Sequence, residues 1–210
     1  VCCKGQYVLI GTAGSEIYEI NRDTNHIMKL GQGHFQGELW GLAVNPVLQQ
    51  VATVGDDASL QVWDLLARKP LFHRADLVGK ARAVAYAPTG LMLAVGLYSG
   101  RVMVYSVDLE TTLANRKVAT DWIQVLKYSP DGKVLAVGSH DSLIYLLETD
   151  QYGRLAVCHG HSSYITALDF SADSQFLQST CGAYELLFWD ANTGHQITTS
   201  ALLRNVPWST

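Results

Sequence analysis

A beat of 42 residues runs through this chain and leaves it very few ways to fold. Four turn motifs, Asn45-Pro46, Ala87-Pro88-Thr89-Gly90, Ser129-Pro130-Asp131-Gly132 and Ser171-Ala172-Asp173-Ser174, place their second residues at 46, 88, 130 and 172. An independent marker keeps the same step. Trp63, Tyr105, Leu147 and Trp189 close four short apolar stretches and are again 42 apart. One period held by two markers over four copies means four copies of one supersecondary unit. No such unit buries its faces alone; each is completed by its neighbours.

Within each unit, apolar strands are predicted before the turn, at 39–44, 81–85, 122–128 and 164–170, and after it, at 50–54, 91–95, 134–137 and 175–179. A glycine follows at 55, 96, 138 or 182. A third strand alternates, as in Ser59-Leu60-Gln61-Val62-Trp63, and alternation with period two marks a strand with two different faces. A weaker fourth strand closes the unit, as at 69–73 or 154–158. Stretches 7–11, 16–20 and 26–30 read as three strands of an earlier unit. Stretch 201–208 reads as the first strand of a later one, with Pro207 tolerated only at an edge or bulge. No segment keeps a helical period.

Four strands in about 40–45 residues make one propeller blade. The expected fold is therefore all-β, a WD-repeat β-propeller. Four complete four-stranded blades are expected at 33–74, 75–118, 119–158 and 159–200. A partial blade of three strands is expected at 1–32, and 201–210 begins a further blade. The whole reads as part of a larger, tandem propeller, and a chain opening on Val1 fits a piece of something longer. An unpaired sheet edge invites association, so this stretch alone is expected to be poorly soluble.

Hydrophobic residues make up 48% of the chain and charged ones 16%, a balance that builds a core and not a disordered coil. Net charge is −4 and no basic stripe is present; Arg68-Lys69 and Arg116-Lys117 lie far apart. Direct electrostatic capture of nucleic acid or of an anionic membrane by this stretch alone is not expected on that ground. No apolar run approaches the roughly 18 residues of a membrane span. Cys2, Cys3, Cys158 and Cys181 have neither metal spacing nor a disulfide framework and read as reduced thiols.

The polar residues at fixed places in each unit read as a hydrogen-bond relay. The unit at 33–74 has a full set: His34 before the first strand, Thr53 on the second, Asp57 in the next turn and Trp63 on the third. A buried indole N–H needs an acceptor, and a carboxylate fixes the imidazole tautomer, so these four satisfy one another. The other units are eroded. His161, Ser179 and Trp189 recur, but Ala183 stands where Asp57 stands, which leaves a buried histidine without its carboxylate at a cost of about 1–3 kcal/mol. The next unit back keeps Asp141 but has Leu147 in place of the tryptophan, and the one before it has Ser99 and Tyr105.

No catalytic constellation is visible. His159-Gly160-His161 has no further ligand at metal spacing, and there is no phosphate-cradling loop or nucleophile elbow. No enzyme activity, cofactor, metal or small-molecule substrate is expected. Binding side chains tend to sit on loops held by a rigid frame. Phe35 between blades, and Tyr98, His140 and Tyr184 in the turns between second and third strands, are the candidate partner-binding residues.

These residues carry a more specific resemblance. His34-Phe35-Gln36-Gly37-Glu38-Leu39-Trp40-Gly41-Leu42 is similar to the "GHxDELWGL" segment of the echinoderm microtubule-associated protein-like family. Gly160-His161-Ser162-Ser163-Tyr164-Ile165-Thr166 resembles its "GHSSFIT", and Tyr184 through Asp190 resembles "DYEILYWD". Arg204 through Thr210 looks like "RDIEWAT". An inserted Gly37, Ala183 in place of Asp and Pro207 in place of an acidic residue depart from the pattern and bear on blade stapling and edge pairing. The resemblance implies a non-catalytic scaffold bound to microtubules or tubulin, in the cytoplasm and cytoskeleton, at spindle or cilium. It also implies that the basic region and coiled coil that drive lattice binding lie N-terminal to the propellers. Tubulin's surface is acidic, so contact by this acidic stretch must be led by shape or by a local patch. The alternative is a WD-repeat adaptor in another protein complex, such as a ubiquitin-ligase or transport assembly.

Overall fold

The computed structural model describes residues 1–35, 37–199 and 203–209. They form five antiparallel sheets and no helix long and apolar enough to cross a membrane. The first sheet holds β1 (Cys2–Lys4), β2 (Tyr7–Gly11), β3 (Glu16–Asn21) and β4 (Ile27–Gln32). The second holds β5 (Leu39–Val44), β6 (Gln50–Gly55), β7 (Leu60–Asp64) and β8 (Lys69–Arg74). The third holds β9 (Ala81–Tyr86), β10 (Met92–Leu97), β11 (Arg101–Ser106) and β12 (Thr112–Lys117). The fourth holds β13 (Ile123–Tyr128), β14 (Val134–Ser139), β15 (Ile144–Glu148) and β16 (Arg154–Cys158). The fifth holds β17 (Ile165–Phe170), β18 (Phe176–Cys181) and β19 (Leu186–Asp190).

The register repeats with the sequence. Trp63 pairs with Val51, Tyr105 with Leu93, Leu147 with Leu135 and Trp189 with Leu177, so the four markers occupy one place in four successive sheets. Irregularities repeat too. The ladder of first and second strands skips one residue in each of the second to fifth sheets, at Trp40, Arg82, Gln124 and Thr166. A bulge bends the strand and re-aims the extra side chain, so these four residues leave the pleat at the same rim. The turns between second and third strands put Ser15, Ala58, Gly100, Ser142 and Tyr184 in the left-handed region, one per sheet.

Cores form between sheets. Ala52, Val54, Leu60 and Val62 of the second sheet pack on Tyr86, Leu93, Val95 and Tyr105 of the third. Leu135, Val137, Tyr145 and Leu147 of the fourth close on Ala94, Val102 and Val104. Ile144 and Leu146 meet Ile165, Phe170, Leu177 and Trp189 of the fifth. The inner strands β5, β9, β13 and β17 lie side by side in that order, fanning the sheets about a common axis. Their close approach depends on small residues: a Cβ at Gly96 would stand 2.5 Å from Ile123 Cγ2. The chain thus forms an arc of propeller whose sheets do not close into a ring.

Three expectations change at the ends. The first sheet has four strands, not three, because Cys2–Lys4 turns at Gly5 (φ +59°) and pairs back on β2. Three residues are too few to show alternation. The fifth sheet has three strands, not four. Residues 195–199 contain one apolar side chain, Ile197, and make a single bridge from Gln196 to Trp189. The strand expected at 201–208 falls partly outside the described residues; its remainder makes one bridge, Ser171 to Trp208, beside which the Pro207 carbonyl accepts from the Ala172 N–H at 2.8 Å. The first sheet also sits differently from the rest. It meets the second where β4 approaches β8, and β5 keeps Leu39, Leu42 and Val44 exposed.

Candidate functional site

Two polar systems run through the sheets, one inside each sheet and one along a rim. The internal one is complete in the second sheet. Trp63 Nε1 donates to Thr53 Oγ1 at 2.8 Å, and Thr53 Oγ1 lies 2.9 Å from His34 Nε2. His34 Nδ1 stands 3.0 Å from both Asp57 oxygens, so the carboxylate holds the proton on Nδ1 and leaves Nε2 to accept from Thr53. Ser59 Oγ donates to Asp57 at 2.9 Å, and the Ser59 and Phe35 N–H groups add to it. Burial pushes the Asp57 carboxyl up, but the bonds from His34 and Ser59 outweigh it and hold it below its usual value.

In the fifth sheet the same relay ends on a different acid. Trp189 Nε1 donates to Ser179 Oγ at 2.7 Å, and Ser179 Oγ is 2.7 Å from His161 Nε2. The carboxylate missing at Ala183 comes from Glu185, two residues on, which stands where Ser59 stands in the second sheet. Its Oε2 is 3.3 Å from His161 Nδ1 and accepts from Cys181 Sγ at 3.1 Å and from the Ser162 N–H at 2.9 Å. The Ser162 hydroxyl donates to Oε1 at 2.8 Å. The expected orphan histidine is therefore corrected: a longer side chain from two residues further on reaches back. The Ser162 N–H, the Cys181 thiol and the Ser162 hydroxyl bring the Glu185 carboxyl down to about 2. Burial lowers the His161 pKa, offset in part by Glu185.

His161, Cys181 and Glu185 have their donor atoms within 4.8 Å of one another, the makings of a metal-ligand set. Protons on Nδ1 and Sγ, both directed at Glu185, already tie the three together. Cys158 is inert by contrast, its thiol pushed up to about 12 by burial.

The eroded sheets are held otherwise. Asp141 accepts from the Thr120 N–H at 2.9 Å, the Thr120 hydroxyl at 2.8 Å and the Tyr145 hydroxyl at 2.9 Å. In the third sheet Tyr105 is covered by the Arg74 guanidinium of β8, 4.8 Å over its ring, which also donates to the Leu109 carbonyl.

The second system lies on the rim formed by the starts of the inner strands and the ends of the second strands. Arg82, a bulge residue, lies 3.9 Å over the Trp40 ring, 5.1 Å from Trp122 and 5.3 Å from Tyr98. Its side chain is only 9% exposed, and Nη2 pairs with Asp56 at 3.1 Å. Tyr98 meets Trp122 edge-on at 4.8 Å, and Trp122 meets His140 at 4.4 Å. His140 stacks on Tyr164 at 4.6 Å, nearly parallel. Gly182 makes room for the last ring: a Cβ there would sit 2.6 Å from Tyr164 Cε1. Six side chains thus form one ladder across four sheets.

Among the candidate partner-binding residues, the structure brings Tyr98 and His140 together on either side of Trp122. Phe35 and Tyr184 are exposed and stand outside the ladder's ring contacts. Sequence reasoning missed Trp40, Arg82, Trp122 and Tyr164. A signal existed, since Trp122 and Tyr164 are 42 apart, as are Tyr98 and His140. What the sequence hides is the bulge that turns Trp40 and Arg82 onto the same rim.

Comparison with known proteins agrees with the sheet pattern. Residues 39–210 match the family model for the second β-propeller of echinoderm microtubule-associated protein. The chain is 38% identical over 212 residues to echinoderm microtubule-associated protein-like 2 of Rattus norvegicus, covering 99% of this chain and 32% of that protein. It is 37% identical over 211 residues to the 77 kDa echinoderm microtubule-associated protein of Strongylocentrotus purpuratus, covering 99% and 30%. The chain spans about a third of the length of these relatives. With four fanned sheets, a repeated register and this match over most of its length, the chain belongs to the echinoderm microtubule-associated protein family.

Proposed function

We propose that this chain works as a non-catalytic propeller scaffold that associates with microtubules or tubulin in the cytoskeleton, at the spindle or cilium. The match to the family's second propeller over 39–210 carries this reading. The structure adds support. The polar residues that look chemically capable, His34 with Asp57 and His161 with Glu185, have their hydrogen-bonding atoms engaged in stapling strands together. The rims, in contrast, present aromatic side chains on a rigid frame, the usual arrangement of a binding module.

Co-sedimentation of the full-length protein with polymerised tubulin at low salt tests the proposal. The protein is expected in the pellet, with binding that weakens as salt rises. Retention in the supernatant at low salt counts against microtubule association and favours an adaptor in another assembly.

A further inference from the structure

The rim ladder does not behave like packing selected for stability alone. Arg82 Nε and Trp122 Nε1 are both buried and have no hydrogen-bond acceptor among the described residues. Buried donors are normally satisfied, so two of them bare within one ladder call for a partner or another explanation. Large apolar rings also stay in water here: Trp40, Tyr98 and Tyr164 are all exposed, although the sheets around them are tightly packed.

Charge says what this surface would accept. The guanidinium of Arg82 already sits among Trp40, Tyr98 and Trp122, so the rim shows in its own structure how a cation is held on these faces. That cation is spoken for by Asp56, which also receives Lys80 at 3.6 Å. Carboxylates remain at the rim beyond that pair. Asp121, beside Trp122, is 53% exposed, with His140 Nδ1 3.8 Å away as its ion-pair neighbour, and Glu38 is exposed just before β5. The chain as a whole is at −4. Exposed π faces flanked by carboxylates on an acidic body favour cations and disfavour anions.

We propose that this rim docks an extended segment of a protein partner rich in arginine or lysine, whose cationic side chains lie on Tyr98 and Tyr164 and are balanced by Asp121. The ladder runs across neighbouring sheets in one direction, which suits an extended segment better than a folded surface. It rests on the scaffold reading above for the idea of a partner, but not for its identity. An acidic tubulin surface would be a poor match to this rim, so the docked segment is a different partner from the lattice.

The test uses the full-length protein and short fluorescent Gly-Ser peptides carrying several Arg, Lys, Glu or Pro residues, read by anisotropy at physiological salt. The Arg and Lys peptides are expected to bind about tenfold more tightly than the Glu and Pro peptides. Tyr98→Ala with Tyr164→Ala should weaken the Arg peptide about tenfold, and Asp121→Asn about threefold. Asp150→Asn, in a turn on the opposite rim, should change nothing. If the double variant melts early, Asp121→Asn decides, since it leaves every ring in place. Equal binding of the Glu or Pro peptides overturns the proposal, as does an equal loss from Asp150→Asn and Asp121→Asn. Protein that pellets with microtubules yet ignores the Arg peptide loses this inference alone. Protein that binds the peptide but stays in the supernatant loses only the microtubule reading.

Discussion

The second and fifth sheets solve one problem with different residues. Both must satisfy an indole N–H and an imidazole inside a thin sheet. In the second, a short acid in the turn, Asp57, sits with no side-chain surface exposed and touches histidine with both oxygens. In the fifth, Glu185 reaches from a position two residues later, is 34% exposed, and recruits Ser162 and Cys181 to steer it. The tryptophans differ the other way: Trp189 is fully buried, whereas Trp63 is partly open. The requirement is thus a carboxylate at histidine Nδ1, and the position that supplies it can move.

The largest effect should come from the buried indole. Trp189→Ala is expected to cost about 3–5 kcal/mol, and Trp63→Ala roughly half as much. Denaturant melts of the two variants, measured side by side, check this; equal losses would mean that burial does not set the difference between the sheets. Next comes the acid. Asp57→Ala strips charged hydrogen bonds from His34 and Ser59 and is expected to cost about 2–3 kcal/mol. Glu185→Ala should cost less, since water can reach the gap. A reversed order would show that the longer route is the stronger one.

The transplant is the sharpest comparison. Placing Ser59→Glu in the Asp57→Ala background should return part of the loss, with a coupling of at least about 0.5 kcal/mol in a double-mutant cycle. Simple additivity would mean that Glu185 depends on Ser162 and Cys181 and cannot be moved.

The smallest effect concerns pH. The pKa of His161 lies below its usual 6.5 in the folded chain, first through burial, so the unfolded chain gains protons first as pH falls through about 6.5, and stability drops. His73 is likewise lowered by burial and adds to the slope. His161→Asn should flatten the fall in Tm, and Glu185→Gln should steepen it by removing the group that raises the His161 pKa. Melting curves across that range decide between a slope set in the fifth sheet and one set elsewhere.

Much of this was legible because a period constrains register. Trp63 and Trp189 announced equivalent places, and His34, Thr53 and Asp57 lie where their spacing puts them. The fifth-sheet acid was not legible. Spacing pointed to Ala183, and only the path of the turn shows that a glutamate from position 185 can arrive at the same atom. The rim was half legible. Its aromatic residues keep the beat, but a bulge displaces Trp40 and Arg82 from the pleat, and a skipped residue leaves no mark in the pattern of apolar side chains. The short β1 and the single bridge at Gln196 fell below the length at which alternation can be read.

Position 184 is left-handed in every copy of its turn, and the four earlier sheets fill it with Ser15, Ala58, Gly100 and Ser142. Tyr184 adopts φ +63° with 98% of its surface in solvent, so its ring pays into no core and its backbone sits where a bulky side chain is disfavoured. A tip of this kind is detachable in design terms: its side chain can be exchanged without disturbing the strands it joins. The fold therefore carries a row of equivalent fittings, one per sheet, on which new contacts can be tried while the frame behind them stays the same.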